Sequence, residues 1–204
     1  MLSLPRRLWW REAELGPFEY LLVFLAIVLG LAVSDLCISL NRLMDAGAKV
    51  RWDWLAPLAA VVAFLKILTQ WWTWFGAAQL AKGLTFEMFV LIVVAVVLLF
   101  LLAAASLPDR VEEDGVDLRD YYTRVSRRYW LLYAAHYLAA NVVSVWAQIQ
   151  LQGARLSPSV LLVAVFPTAA VVLAFVRVRL LHMVCLVALI ALYLFQFAGH
   201  SLGQ

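Results

Sequence analysis

Apolar residues fall into six long runs separated by short polar breaks, at roughly 18–40, 54–76, 85–105, 129–150, 158–176 and 180–198. Each run is about 20 residues, the length an α-helix needs to cross the hydrocarbon core of a bilayer. The pattern predicts an all-α fold: a polytopic membrane protein built as a bundle of six transmembrane helices. Residues 1–17 read as an N-terminal interfacial segment and 18–198 as the six-helix domain. Within that domain 106–128 is its cytoplasmic loop, and 199–204 form a short C-terminal tail.

Composition strengthens that reading. The chain is 66% hydrophobic and 14% charged, with a mean hydropathy of +0.91, whereas a soluble domain is about half apolar and about a quarter charged. The net charge of +3 belongs to loops and helix ends. No basic face of the kind nucleic acid requires is present, so no nucleic-acid partner is expected. Cys37 and Cys185 lie in apolar runs and read as small core residues rather than a disulfide or a metal pair. The first run is too long for a signal-peptide core, and no A-x-A-like site follows it.

Positive residues favour the cytoplasmic side of a membrane. The first, third and fifth loops together hold ten lysines and arginines, against five for the N-terminus, the second and fourth loops and the C-terminus. Both termini are therefore expected outside, although Arg6, Arg7 and Arg11 argue the other way. Trp9 and Trp10 among those arginines suggest a short interfacial helix, and "QWWTWFG" (70–76) an aromatic belt at the same outer level.

"LPDRVEEDGVDLRDYYTRVSRRYW" (107–130) is the largest polar stretch. Pro108 ends the third helix, Gly115 marks a turn, and Asp117 with Asp120 has the spacing of a helix N-cap, so a helix is expected from Leu118. Arg124, Arg127 and Arg128 then form a basic collar at headgroup level. The segment "LPDRVEEDGVDLRDYY", together with "GLAVSDL" in the first run, resembles a recurring family of small bacterial inner-membrane proteins with six predicted helices. That resemblance implies a bacterial inner-membrane location and carries over no site residues.

Polar groups inside the runs are the candidate chemistry, because a charge at mid-bilayer costs about 2.5–3.5 kcal/mol on insertion scales. Ala26, Gly30, Ser34, Cys37 and Asn41 form a small-residue stripe on which another helix can pack, and Asp35 stands beside it. In the fourth run Tyr129, Tyr133, Tyr137, Asn141, Ser144, Gln148 and Gln152 recur at three- and four-residue steps, bordered by His136. This is one helical face of hydrogen-bonding groups. Lys66 leads a shorter polar face in the second run with Thr69, Gln70 and Thr73. Depth counted at 1.5 Å per residue lets Asp35 meet His136, whereas Asp35 and Lys66 would need helix tilt.

H-E-x-x-H, G-x-S-x-G, C-x-x-C and P-loop motifs are absent, so no enzyme, catalytic residue, metal or cofactor is expected. Haem ligation by His136 and His182 is disfavoured because His182 lies several residues shallower. Two functions fit. One is a small channel or transporter for protons or small cations along Asp35, His136, Lys66, Tyr137, Asn141, Ser144 and Gln148, working as a homo-oligomer. The other is a non-conducting scaffold or accessory subunit that binds a membrane-protein partner through loop 107–130. Membrane lipids are partners in both. Against the pathway stands a structural alternative, in which the Asn, Gln, Ser and Tyr side chains are glue between helices and Asp35 is neutralised by protonation or by a basic neighbour.

Overall fold

The computed structural model describes residues 17–75, 84–152 and 159–197. Apart from Pro17, the segment 1–17 lies outside the described residues, as does the tail 199–204. Six α-helices form among the described residues: α1 (Pro17–Ala46), α2 (Leu55–Phe75), α3 (Phe86–Ala104), α4 (Leu118–Gln152), α5 (Ser159–Phe175) and α6 (Arg179–Phe197). Four of them, α1, α2, α3 and α6, are long and apolar enough to cross a membrane. Helix α4 is the longest, at 35 residues, but its charged start and tyrosine-rich face dilute its hydropathy, and α5 has only 17 residues.

Local chemistry sets the helix starts. Thr85 caps α3, its side chain accepting from the Met88 amide. Asp117 caps α4 as its spacing predicts, its Oδ1 accepting from the amides of Arg119 at 2.8 Å and Asp120 at 3.3 Å. Two helices exceed their apolar runs: α1 continues to Ala46 and α4 begins at Leu118, because both carry polar turns beyond the apolar stretch.

Helix α1 lays Leu21, Leu25, Leu29, Ala32, Leu36, Ser39 and Leu43 inward, at three- and four-residue steps, and its main neighbour is α3. Helix α2 is central and touches α1, α3, α4 and α6, while α4 packs between α3 and α5. The small-residue stripe of α1 does not serve this packing. Gly30, Ser34, Cys37 and Asn41 are exposed, and a Cβ added at Gly30 would meet nothing within 4 Å. Leucines bury more apolar area than small residues, and they took the inward face.

Three loops gather at one end of the bundle. Val50–Arg51 (β1) pairs in parallel with Val116–Asp117 (β2), joining the α1–α2 and α3–α4 loops. Arg51 also pairs with Asp117 at 3.2 Å, and Arg42 donates to the Asp109 carbonyl at 2.7 Å. Arg179 at the start of α6 pairs with Asp53 at 2.5 Å, bringing in the α5–α6 loop. With these alternate loops at one end, successive helices run in opposite directions and all six traverse the bundle.

Gly115 has φ +92°, and a Cβ there would collide with the Lys49 carbonyl, so the β1–β2 junction requires glycine. The outward faces of all six helices carry exposed large apolar side chains, among them Ile27, Phe64, Val94, Leu138, Val172 and Leu194. A monomer in water does not sustain an apolar surface of that extent.

Candidate functional site

The tyrosine face of α4 forms the polar spine of the bundle over the half nearer the gathered loops. Near the loop end, Tyr122 and Trp130 converge on His182 of α6. The His182 Nε2 faces the Val176 carbonyl at 2.9 Å and so must carry the proton. Its Nδ1 is then an acceptor, and it receives the Tyr122 hydroxyl at 3.0 Å and the Trp130 Nε1–H at 3.2 Å. Both ring nitrogens are committed, so His182 offers no lone pair to a haem iron. Burial, the larger cause, pushes the Tyr122 phenol well above its ordinary range.

One level further in, the fully buried Tyr129 donates to the Ala59 carbonyl of α2 at 2.9 Å. Next comes a cluster of three hydroxyls. Tyr193 of α6 lies 2.8 Å from the Tyr133 hydroxyl and 3.2 Å from that of Tyr137. The Tyr137 ring stacks on Phe166 of α5, with centroids 5.5 Å apart. Lys66 of α2 also lies against this ring, its Nζ 4.4 Å from the centroid, and the His136 ring meets it edge-on at 6.2 Å. Among the described residues Lys66 makes no ion pair. From Tyr122 to Tyr137 the spine climbs about 22 Å along α4.

His136 stands beside this cluster and is completely buried. Its Nδ1 meets the Ala95 carbonyl of α3 at 2.9 Å and must donate to it. That leaves Nε2 as a bare acceptor, with no hydrogen-bond partner among the described residues. Lys66 is the charged group that acts on this ring.

The structure thus joins His136, Lys66 and Tyr137, and separates them from Asp35. The charged groups that act on Asp35 are Asp109 and Arg42, at the loop end, so the expected Asp35–His136 meeting does not occur. Asp35 belongs to α1, whose main neighbour is α3, and its field reaches α4 at Tyr121, near the loop end, rather than at His136. The upper part of the predicted stripe also diverges. Asn141 is half-buried, but Ser144 and Gln148 are exposed, and the Ser144 hydroxyl donates back to the Ala140 carbonyl at 2.9 Å. A straight row of steps of three and four drifts around a helix of 3.6 residues per turn and leaves the core as it climbs.

Tyr193 is a partner of the α4 tyrosines that the polar pattern of α4 does not reveal. The signal was its position eleven residues after His182, about three turns up the same face of α6. Asp53 and Arg179 carry no local signal, because they stand 126 positions apart. No group of His, Cys, Asp and Glu among the described residues is arranged to hold a metal ion. Comparison with family models, curated proteins and solved structures finds no match.

Proposed function

We propose that the chain is a multi-pass protein of the bacterial inner membrane, with the gathered loops in the cytoplasm and both termini outside, and that it moves protons through Lys66, His136 and the tyrosine hydroxyls. The apolar outward faces of six traversing helices support the first part. The ten-to-five bias of basic residues toward the gathered loops supports the orientation.

One observation carries the second part: a fully buried imidazole nitrogen without a hydrogen-bond partner among the described residues, within electrostatic reach of an ammonium that pairs with no carboxylate among them. An unsatisfied buried acceptor costs about 1–3 kcal/mol, and an unpaired cation costs several more. Leucine or methionine at both positions would make a more stable bundle. An ammonium and a bare imidazole nitrogen are, however, a proton donor and a proton acceptor, and intramembrane groups of this kind mark proton relays. A metal cation would need oxygen ligands and would be repelled by Lys66, so the proton fits best.

Purified protein in liposomes, under an imposed pH gradient with a potassium-selective ionophore to clamp the potential, tests the reading. Wild type should acidify the lumen faster than empty liposomes. Lys66→Met and His136→Leu should each fall to the empty-liposome rate while remaining folded. Equal rates in wild type and both variants would remove proton transport. The β1–β2 junction favours a second reading, a cytoplasmic docking surface, since it orders loop 105–117 in place of a free linker.

A further inference from the structure

At the loop end of α4, α5 and α6 lies a cavity of about 660 Å³ whose wall carries Arg119, Arg124, Arg127, Arg177 and Arg179 and no carboxylate. Asp53, the one acid paired to any of them among the described residues, uses only the Nη2 of Arg179. The Nη1 of that guanidinium is buried with no partner among the described residues. Arg119, Arg124, Arg127 and Arg177 make no ion pair among the described residues. Arg127 is held by stacking over Phe175, with its Cζ 4.8 Å from the ring centroid. The first residue of α6 also lines the cavity, so the positive end of that helix dipole adds to the field. Like charges gathered this closely repel unless an anion lies among them, and planar guanidinium forks match phosphate oxygens.

What continues from the cavity identifies the anion's carrier. Arg124 and Arg127 also line a second hollow that runs on to Leu131, Leu132 and Ala135. Leu131 and Ala135 in turn belong to an almost wholly apolar furrow of about 870 Å³ between α4 and α5, reaching past Leu138 and Val142. From Leu131 to Val142 is about 17 Å of helix, roughly half of the ~30 Å hydrocarbon core and hence the depth of one leaflet.

We infer that the arginine cavity and the α4–α5 furrow together form a binding site for one anionic phospholipid, the phosphate among the guanidiniums and an acyl chain along the furrow. The inference rests on the membrane reading above, but not on proton transfer.

Native mass spectrometry of the full chain released from detergent tests it, with phosphatidylglycerol, phosphatidylethanolamine or inorganic phosphate supplied. Wild type should retain one phosphatidylglycerol in preference to phosphatidylethanolamine. The triple change Arg124→Gln, Arg127→Gln, Arg177→Gln should weaken that retention about a hundredfold, each guanidinium contributing about a factor of five. Leu138→Trp fills the furrow without touching an arginine and should also reduce retention, which keeps the test valid if the triple variant fails to fold.

Equal retention of the two lipids, or unchanged retention in both variants, would overturn the site. Inorganic phosphate that displaces the lipid competitively would make it a free-anion site and overturn the lipid assignment. Carbonate extraction of cell membranes separates the two levels of the argument. A chain released to the supernatant defeats the membrane reading, whereas a chain kept in the pellet without lipid preference defeats this inference alone.

Discussion

Tyr193 carries one hydroxyl that holds two others, those of Tyr133 and Tyr137. Tyr193→Phe should therefore cost about 1–3 kcal/mol, since it strands hydroxyls in a buried site as well as removing a bond. Thermal unfolding in detergent measures this, and an unchanged midpoint would mean the cluster contributes nothing. Asp53 has two duties. Its Oδ1 accepts from the Leu55 amide at 3.1 Å, at the start of α2, and its Oδ2 holds Arg179. Asp53→Asn keeps an oxygen for the first duty and loses the charge for the second, whereas Asp53→Ala loses both. The alanine variant should be less stable than the asparagine variant by about 1 kcal/mol, and equal losses would show that the amide contact is idle. Tyr121 gives a pH dependence. Its hydroxyl donates to the Leu107 carbonyl at 2.8 Å, and burial, reinforced by Asp109, moves its phenol from about 10 up to about 12. The unfolded chain therefore loses this proton first, and stability should fall as pH rises from about 10 to about 12. Tyr121→Phe should flatten that alkaline decline, which denaturant titrations across the pH range would reveal.

Helices were legible because their signal is local. Four of the six apolar runs match α2, α3, α5 and α6 to within a residue or two at each end, and the Asp117 cap marks the start of α4. What was not legible was which face each helix turns inward. The stripe of α1 had the spacing of a packing surface, yet its leucine row won the core. In α4, Tyr129, Tyr133 and Tyr137 lie inside while Ser144 and Gln148, on the same nominal row, lie outside. The partner sets the inward face, and partners come from distant sequence. The β1–β2 junction is the extreme case: two residues pair with two others 66 positions away, too few to leave a periodic pattern. Gly115 marks a turn in the sequence, and in the structure it also admits the Lys49 carbonyl. Gly115→Ala should cost about 1–2 kcal/mol from the backbone conformation alone, more with the collision. Hydrogen exchange at Val50 and Val116 should then speed up together, and faster exchange at only one of them would mean the strands do not depend on each other.

At the scale of the molecule, the ties among Arg51, Asp117, Asp53 and Arg179 require three loops to share one side. Single cysteines placed at Ala48, Glu113 and Arg177 should all react with an impermeant thiol reagent from one and the same side of the membrane, in a background where Cys37 and Cys185 are replaced by alanine. One cysteine labelled from the opposite side would break the six-traverse arrangement. The Asp53–Arg179 pair also has a consequence in time. A ribosome delivers Asp53 long before Arg179, with 125 residues emerging between them. Throughout that interval the first two helices can be inserted, yet their loop carries a carboxylate whose cation has not been made. Completion of the last helix is what closes the ring of loops. A nascent chain stopped before residue 179 thus differs chemically from a finished one at this rim of loops, where Asp53 still lacks its cation.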